Sequence, residues 1–332
     1  MVMVLFIPIR EIRESEKKMT EKPVFKNWKK NQTLDFKNGF MVAEHNLPEM
    51  ELFSDQALEK LLETHPDELS MVYAMPKEAA GYDSFREGDL RESKGKDIIS
   101  AVKKGQLWVQ LLKLNSVNPE FKNLEKQIIS ELKSKIQGLK IFGCRLSLLI
   151  SSPGIHVSYH ADIPRNALWQ IRGSKKVFVY PVEEKFISEN DLEGVYLGET
   201  QEAIAYKEEF DQDATIVDLQ PGMMVTWPIN GPHRIVNENE LSVSMAMEYF
   251  EPIAWFRYAV YYTNGVMRRR FGVPMKSRKT SGPIMWLKAI SSTFFKVFKV
   301  QKKHQHIRYL TFKIDPGSET GFTDIEKKRR SF

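Results

Sequence analysis

His160-Ala161-Asp162-Ile163-Pro164-Arg165-Asn166-Ala167-Leu168-Trp169-Gln170-Ile171-Arg172-Gly173-Ser174-Lys175-Lys176-Val177-Phe178-Val179-Tyr180-Pro181 is the stretch from which the fold of this 332-residue chain can be read. It opens with a histidine and an aspartate two residues apart, and a second histidine closes the distant segment Trp227-Pro228-Ile229-Asn230-Gly231-Pro232-His233. Side chains of a β-strand alternate faces, so His160 and Asp162 on one strand project to the same side and can grip one ion, while His233 arrives from another strand. Two imidazoles and one carboxylate on one face of a metal leave the opposite face open, as in non-haem Fe(II) centres. His160, Asp162 and His233 are therefore the candidate metal ligands. A lone His-x-Asp is common and says little; the rest of the stretch gives it weight. His156 shares the strand face of His160 and reads as a neighbour of the site, not a ligand.

A lysine inside a barrel is costly unless it meets an anion. A dicarboxylate would supply one through charge-assisted hydrogen bonds. If a strand begins at Lys175, then Lys175, Val177 and Val179 share one face and Lys176, Phe178 and Tyr180 the other, so one lysine points inward and its neighbour outward. On this reasoning alone Arg172 and Lys176 compete with Lys175.

With His160, Asp162, Asn166, Gln170, Gly173, Lys175 and Pro181 in register, the stretch resembles the core of the JmjC/cupin-type Fe(II)/2-oxoglutarate-dependent oxygenases, particularly the cupin-like asparaginyl hydroxylase branch. Weaker similarity runs back through Cys144 to Ser152 and Leu107-Trp108-Val109-Gln110, and forward through His233 to about Tyr249, in all under half the chain. The resemblance implies a mainly β fold with flanking α-helices: a double-stranded β-helix (cupin jelly roll) with helical N- and C-terminal additions. It implies Fe(II) on His160, Asp162 and His233, 2-oxoglutarate as co-substrate with its distal carboxylate on an inward-facing Lys175, and O₂ as oxidant. The implied activity is that of a hydroxylase, coupling oxidative decarboxylation of 2-oxoglutarate to oxidation of a substrate C–H bond. Asn166 and Trp108 are carried as cofactor-side residues, and Asn166 and Gln170 also as candidates either for supporting the ligands from behind or for the substrate side. Three positions depart from the pattern. Val157 stands where the asparaginyl hydroxylases carry a cofactor-binding threonine, Trp108 where they carry a tyrosine, and no asparagine follows near Ala246. The substrate therefore does not carry over.

Two readings of other classes compete. One is a non-catalytic cupin binding module, against which stands the lack of any physical need for four converging polar groups in a retired pocket. The other is a metal-dependent cupin isomerase or dioxygenase that does not use 2-oxoglutarate; succinate production separates it.

The 42% hydrophobic and 28% charged content is that of a globular protein. Cys144 is the only cysteine, so no internal disulfide forms, which fits a reducing cytoplasm. Apolar Met1–Ile9 is too short to span a bilayer and is soon interrupted by Arg10, Glu11 and Arg13. Met19 is an alternative start, and residues 1–22 read as a disordered leader. The oxygenase-like domain is expected over 23–251, with its core at 107–250.

Helices are expected from Ser54 to Thr64, Asp97 to Lys104 and Pro119 to Ile136, where apolar residues recur at helical spacing and Gly105 and Gly138 follow the last two. Strands are expected at Leu107–Leu114, Leu139–Ser151, His156–Asp162, Leu168–Arg172, Lys175–Tyr180, Thr215–Leu219, Met223–Trp227 and Leu241–Phe250. Many strands separated by turns argue for a jelly roll.

Charge is segregated. Residues 183–218 hold 12 acids against Lys185 and Lys207, a net of −10, whereas 252–314 hold 14 Lys and Arg and no acid. The acidic run is expected as an insertion that is a lid, a docking partner for the basic region, or a solvated loop. Within the basic, partly helical region 252–332, residues 284–303 fit an amphipathic helix. Its apolar side would pack on the core, or lie on an anionic membrane, which would place the protein at the inner face of a membrane. Nucleic acid is disfavoured because no recognition motif accompanies the charge. Lys327–Arg330 is expected to fray. A homodimer remains a partner reading, and the substrate is an unknown protein side chain, small metabolite or lipid-linked sugar.

Overall fold

The computed structural model describes residues 22–75, 85–200, 203–301 and 307–330; the expected leader lies outside them except for Lys22, as do His304 and His306. The strands are β1 (Phe25–Lys26), β2 (Met41–His45), β3 (Ser70–Ala74), β4 (Arg86–Asp89), β5 (Leu107–Leu111), β6 (Phe142–Ser151), β7 (His156–His160) and β8 (Arg165–Arg172). They continue as β9 (Lys175–Val179), β10 (Thr215–Leu219), β11 (Met223–Thr226), β12 (His233–Asn237), β13 (Ser242–Phe250), β14 (Tyr309–Ile314) and β15 (Phe322–Arg329). The helices are α1 (Gln32–Asn38), α2 (Asp55–Thr64), α3 (Gly95–Lys104), α4 (Leu114–Val117), α5 (Pro119–Lys135), α6 (Glu189–Leu197), α7 (Pro252–Phe271) and α8 (Pro283–Val297). Their starts follow local chemistry. The Ser54 hydroxyl accepts from the Ala57 amide to cap α2, and Asn118 caps α5 with proline at its first position.

Strands β6 to β13 form the double-stranded β-helix, one sheet ordered β11-β8-β13-β6 and the facing sheet β10-β9-β12-β7. The first sheet is extended by β2 and β1 on one edge and by β5, β3, β4, β14 and β15 on the other, all antiparallel except the β4–β14 pair. Alternation along β13 separates two environments. Val243, Met245, Met247 and Tyr249 are buried toward the helical side, whereas Ser242, Ser244, Ala246 and Glu248 face the barrel interior.

Gly173 turns β8 into β9 at φ +65, and a Cβ there would come within 2.4 Å of the Leu241 carbonyl oxygen. Only glycine fits. Gln170, fully buried, pins the same turn by donating to the Arg172 and Gly173 carbonyls and to Ser242 Oγ, while its Oε1 accepts from Ser244 Oγ. Its amide is thus spent on the turn and on two serine hydroxyls.

The acidic run is a docked element. Tyr159, Tyr180, Phe186 and Phe210 pack together outside the smaller sheet, where Arg234 lies 3.5 Å from the centre of the Phe178 ring and pairs with Asp211. Helix α6 joins α7 through buried Glu193, which takes Arg268 at 2.7 Å and Arg269 at 3.0 Å, and Glu199 takes Arg269 at 3.0 Å. The expected fraying of Lys327–Arg330 is overturned. Strand β15 pairs with β14, and the Arg330 guanidinium meets the buried Glu87 carboxylate, so this basic stretch is held by backbone ladder and ion pair. Among the described residues no helix is long and apolar enough to cross a membrane.

Candidate metal and co-substrate site

Strands β7 and β12 pair directly with His160 opposite His233, which sets the two imidazole centres 4.0 Å apart. Asp162 lies just beyond the end of β7, not within it as the alternation argument assumed. Its Oδ1 is 3.8 Å from His160 Nε2 and its Oδ2 3.6 Å from His233 Nε2, and the three ligand atoms fall within 4.8 Å of one another. Ring Nδ1 of His160 sits 2.7 Å from the Ser158 carbonyl, and that of His233 3.0 Å from the Gly231 carbonyl. If each Nδ1 carries the proton, each Nε2, the ring nitrogen near the Asp162 carboxylate, keeps its lone pair for a metal. Burial, reinforced by the neighbouring His160, pushes His233 down to about 3, so its imidazole is neutral and free to ligate. This donor set fits a divalent first-row metal with open positions, as expected for Fe(II).

The carboxylate is held from two directions. Asn166 Nδ2 donates to Asp162 Oδ2 at 3.0 Å, which makes Asn166 a partner of the ligand and assigns its amide nitrogen to that task. Asn230, in the left-handed region at φ +59 and 1% exposed, donates to the Asp162 backbone carbonyl at 2.8 Å. Its own Oδ1 accepts from Tyr196 of α6 at 2.9 Å and Arg257 of α7 at 2.6 Å. Sequence reasoning missed this node, since Asn230-Gly231 reads only as a turn. Asn230→Gly keeps the turn and removes the amide. About 1–3 kcal/mol of stability should be lost with three polar partners unpaired, together with about tenfold in metal affinity; thermal melts and metal titration read both, and unchanged affinity would leave Asn230 a purely structural clamp.

Lys175 stands at the start of β9, 4% exposed, while the Lys176 side chain is 48% exposed beside Glu238. The Lys175 ammonium has no hydrogen-bond or ion-pair partner among the described residues, and burial alone pushes it down to about 7. Arg172, the other competitor, turns to the rim and pairs with Asp55. Opposite Lys175 in the ladder, Asn237 donates to Ser151 Oγ at 2.7 Å, and Ser151 in turn pairs with Trp108 on β5. Trp108 is half-buried, its ring 6.0 Å from that of Tyr73. A buried cation without an anion is costly, and an acid ligand entering the barrel would relieve it. His156 is exposed and takes no part.

Arg145, Glu248 and Asn166 stand opposite one another on β6, β13 and β8, forming a polar row beside Asp162. Arg145 pairs with Glu248 at 3.0 Å, and burial, with Asp162 adding to it, holds the Glu248 carboxyl above its usual range against the pull of Arg145. Glu248 and Arg145 escaped sequence analysis because each is an ordinary charge within an otherwise apolar strand.

No protein-family model and no curated protein matches the chain. Solved structures do match. The Escherichia coli ribosomal oxygenase YcfD in complex with cobalt and 2-oxoglutarate is 14% identical, with 86% of this chain and 74% of that one covered at a TM-score of 0.46. A second structure of E. coli YcfD is 14% identical over 82% of this chain and 68% of that one, at a TM-score of 0.47. DMSP lyase DddQ from Ruegeria pomeroyi is similar over only 32% of this chain and 39% of that one, at 9% identity and a TM-score of 0.22.

Proposed function

We propose that the protein is an Fe(II)- and 2-oxoglutarate-dependent oxygenase, a hydroxylase acting on a substrate C–H bond. What carries the reading is the presence, in one eight-stranded barrel, of a buried His160–Asp162–His233 cluster and a buried Lys175 with no partner among the described residues. A redox-neutral cupin needs the cluster but gives no reason for the lysine. A binding module needs neither.

Bound at these three side chains, Fe(II) would supply the O₂ chemistry that amino acids lack. The chain's own residues do the remaining work. Backbone carbonyls at Ser158 and Gly231 fix the imidazoles, Asn166 and Asn230 fix Asp162, and Lys175 takes the distal carboxylate of 2-oxoglutarate. That lysine–carboxylate contact is strengthened by burial, because a low local dielectric favours paired charge. Trp108 walls the cofactor side, and the Arg145–Glu248 row faces the incoming substrate.

The test is succinate formation from 2-oxoglutarate by the iron-loaded protein, followed by NMR, alone and with cell extract. Turnover requiring both Fe(II) and O₂, and stimulated by extract, is the expected result. Dividing the extract into protein, small-molecule and lipid fractions separates a protein side chain, a metabolite and a lipid-linked sugar as substrate. Tight Fe(II) binding with no succinate under any of these conditions would favour a cupin enzyme that does not use 2-oxoglutarate.

A further inference from the structure

Helix α8 is mounted inside out. Its buried stripe is Met285, Lys288, Ala289 and Ser292, while Trp286, Leu287, Ile290, Phe294, Val297 and Phe298 are each between 52% and 68% exposed. The inversion is held by hydrogen bonds. Lys288, 3% exposed, donates to Asn264 Oδ1 at 2.6 Å and to the Ser277 carbonyl, and Thr263 of α7 donates to the Lys288 carbonyl at 2.9 Å. Packing of the apolar side on the core, one of the two arrangements expected from sequence, is therefore not realised: Lys288 is inside and the apolar side is outside.

The exposed face continues onto α7. Trp286 meets Phe256 edge-on at 5.0 Å, Phe256 meets the half-exposed Trp255 at 5.0 Å, and at the other end Phe271, also exposed, lies 6.2 Å from Phe295. A 15-residue helix is about 22 Å long, so the apolar band spans that length with an exposed indole at one end and phenylalanines at the other. Patches of this kind mark interaction sites, and tryptophan beside phenylalanine and leucine suits the boundary between headgroups and acyl chains. Along the chain the charge of this region has one sign. No acid occurs from Pro252 to Ile314, Lys276, Lys279 and Lys299 are exposed, and Lys302-Lys303 follow in sequence. Arg268, Arg269 and Arg278 are neutralised by the acidic insertion and add nothing.

We propose that the α8 face docks on the surface of an anionic lipid bilayer, lying in the plane of the interface with its aromatic side immersed and the flanking lysines on the headgroups. This goes beyond the oxygenase reading and does not depend on it. It is tested with the whole 332-residue chain by sedimentation with phosphatidylcholine vesicles containing or lacking one-fifth phosphatidylserine, at low and high salt. Sedimentation with the anionic vesicles that weakens in high salt, with a blue shift of tryptophan emission, is expected. Leu287→Glu with Phe294→Glu should cut the bound fraction at least tenfold, and Lys276→Gln with Lys279→Gln and Lys299→Gln should remove the preference for anionic lipid. These side chains are exposed, so an unchanged thermal melt and Fe(II) titration will show that the fold is intact. Absence of binding to either vesicle would overturn the proposal, as would a dimer in light scattering that the Leu287→Glu, Phe294→Glu protein no longer forms, since the face would then belong to a second copy of the chain.

Discussion

Asp162→Ala is expected to fold normally while losing Fe(II) affinity by at least about a hundredfold, with 2-oxoglutarate turnover falling to background. Removing one of three protein ligands leaves two imidazoles, and a catalytic metal held on an open face has no reserve of donors. The fold should survive because Asp162 lies outside the strand ladders and its backbone carbonyl, which Asn230 holds, is retained in the variant. His160→Ala should behave alike, although His160 does sit on β7. Asn166→Ala, which only frees the carboxylate to turn, should cost about 10–100-fold in metal affinity. Titration with Fe(II) or Co(II), alongside thermal melting, reads both quantities. Near wild-type metal affinity in Asp162→Ala would sink the ligand assignment outright.

The second large effect is expected at Lys175, and it has opposite signs in the free and the co-substrate-bound protein. Burial holds this ammonium at about 7, against an ordinary value of 10.5 in the unfolded chain. Below about pH 7 both states carry the proton and the cost of the buried charge is fully present, on the order of 5 kcal/mol for a shift of this size. Between about pH 7 and 10.5 the unfolded state binds more protons, so stability rises with pH. Lys175→Met removes the charge and keeps the bulk. It should raise the melting temperature of the free protein by roughly 5–10 °C at pH 6, with the gain shrinking toward pH 10. The same substitution should weaken 2-oxoglutarate binding by about 10–100-fold, the worth of a charged hydrogen bond, without changing Fe(II) affinity.

In the wild-type protein the lysine must be protonated to hold the co-substrate. Affinity for 2-oxoglutarate should therefore fall by about tenfold per unit as pH rises beyond 7. Melting curves and binding isotherms at three pH values would show both trends. Lys176, exposed on the opposite face, serves as the control, and Lys176→Met should alter neither. Destabilisation of the free protein by Lys175→Met would mean that the lysine is structural and the co-substrate reading is wrong.

How far the sequence could be read depended on the range of the physics involved. Seven of the eight jelly-roll strands, all but β12, were legible with bounds because alternation and turn residues act within a few positions: Thr215–Leu219 matches β10 to the residue, and most others differ by a few residues at an end. Asp162 was legible as a ligand candidate by spacing, but its place past the end of β7 was not. That position is set by Asn230, which lies 68 residues away in sequence.

The sequence by itself determined that this chain builds a barrel of many strands, carries a His160–Asp162–His233 set, and separates an acidic from a basic segment, because residue type, spacing and net charge are local properties. Alternation alone left the two adjacent lysines equivalent, and the inward Lys175 that the resemblance implied is the one the closed sheets bury; only the tertiary structure shows that burial. The same holds for Gln170, whose amide is consumed by the turn it crosses, and for the Tyr196–Asn230–Arg257 node, assembled from an insertion helix, a loop and a C-terminal helix. Helix α8 makes the point most sharply. Its wheel dictates one apolar and one cationic side, but which side faces the protein depends on the polar groups Thr263, Asn264 and Ser277 that α7 and its following segment present to Lys288. No reading of α8 alone contains them.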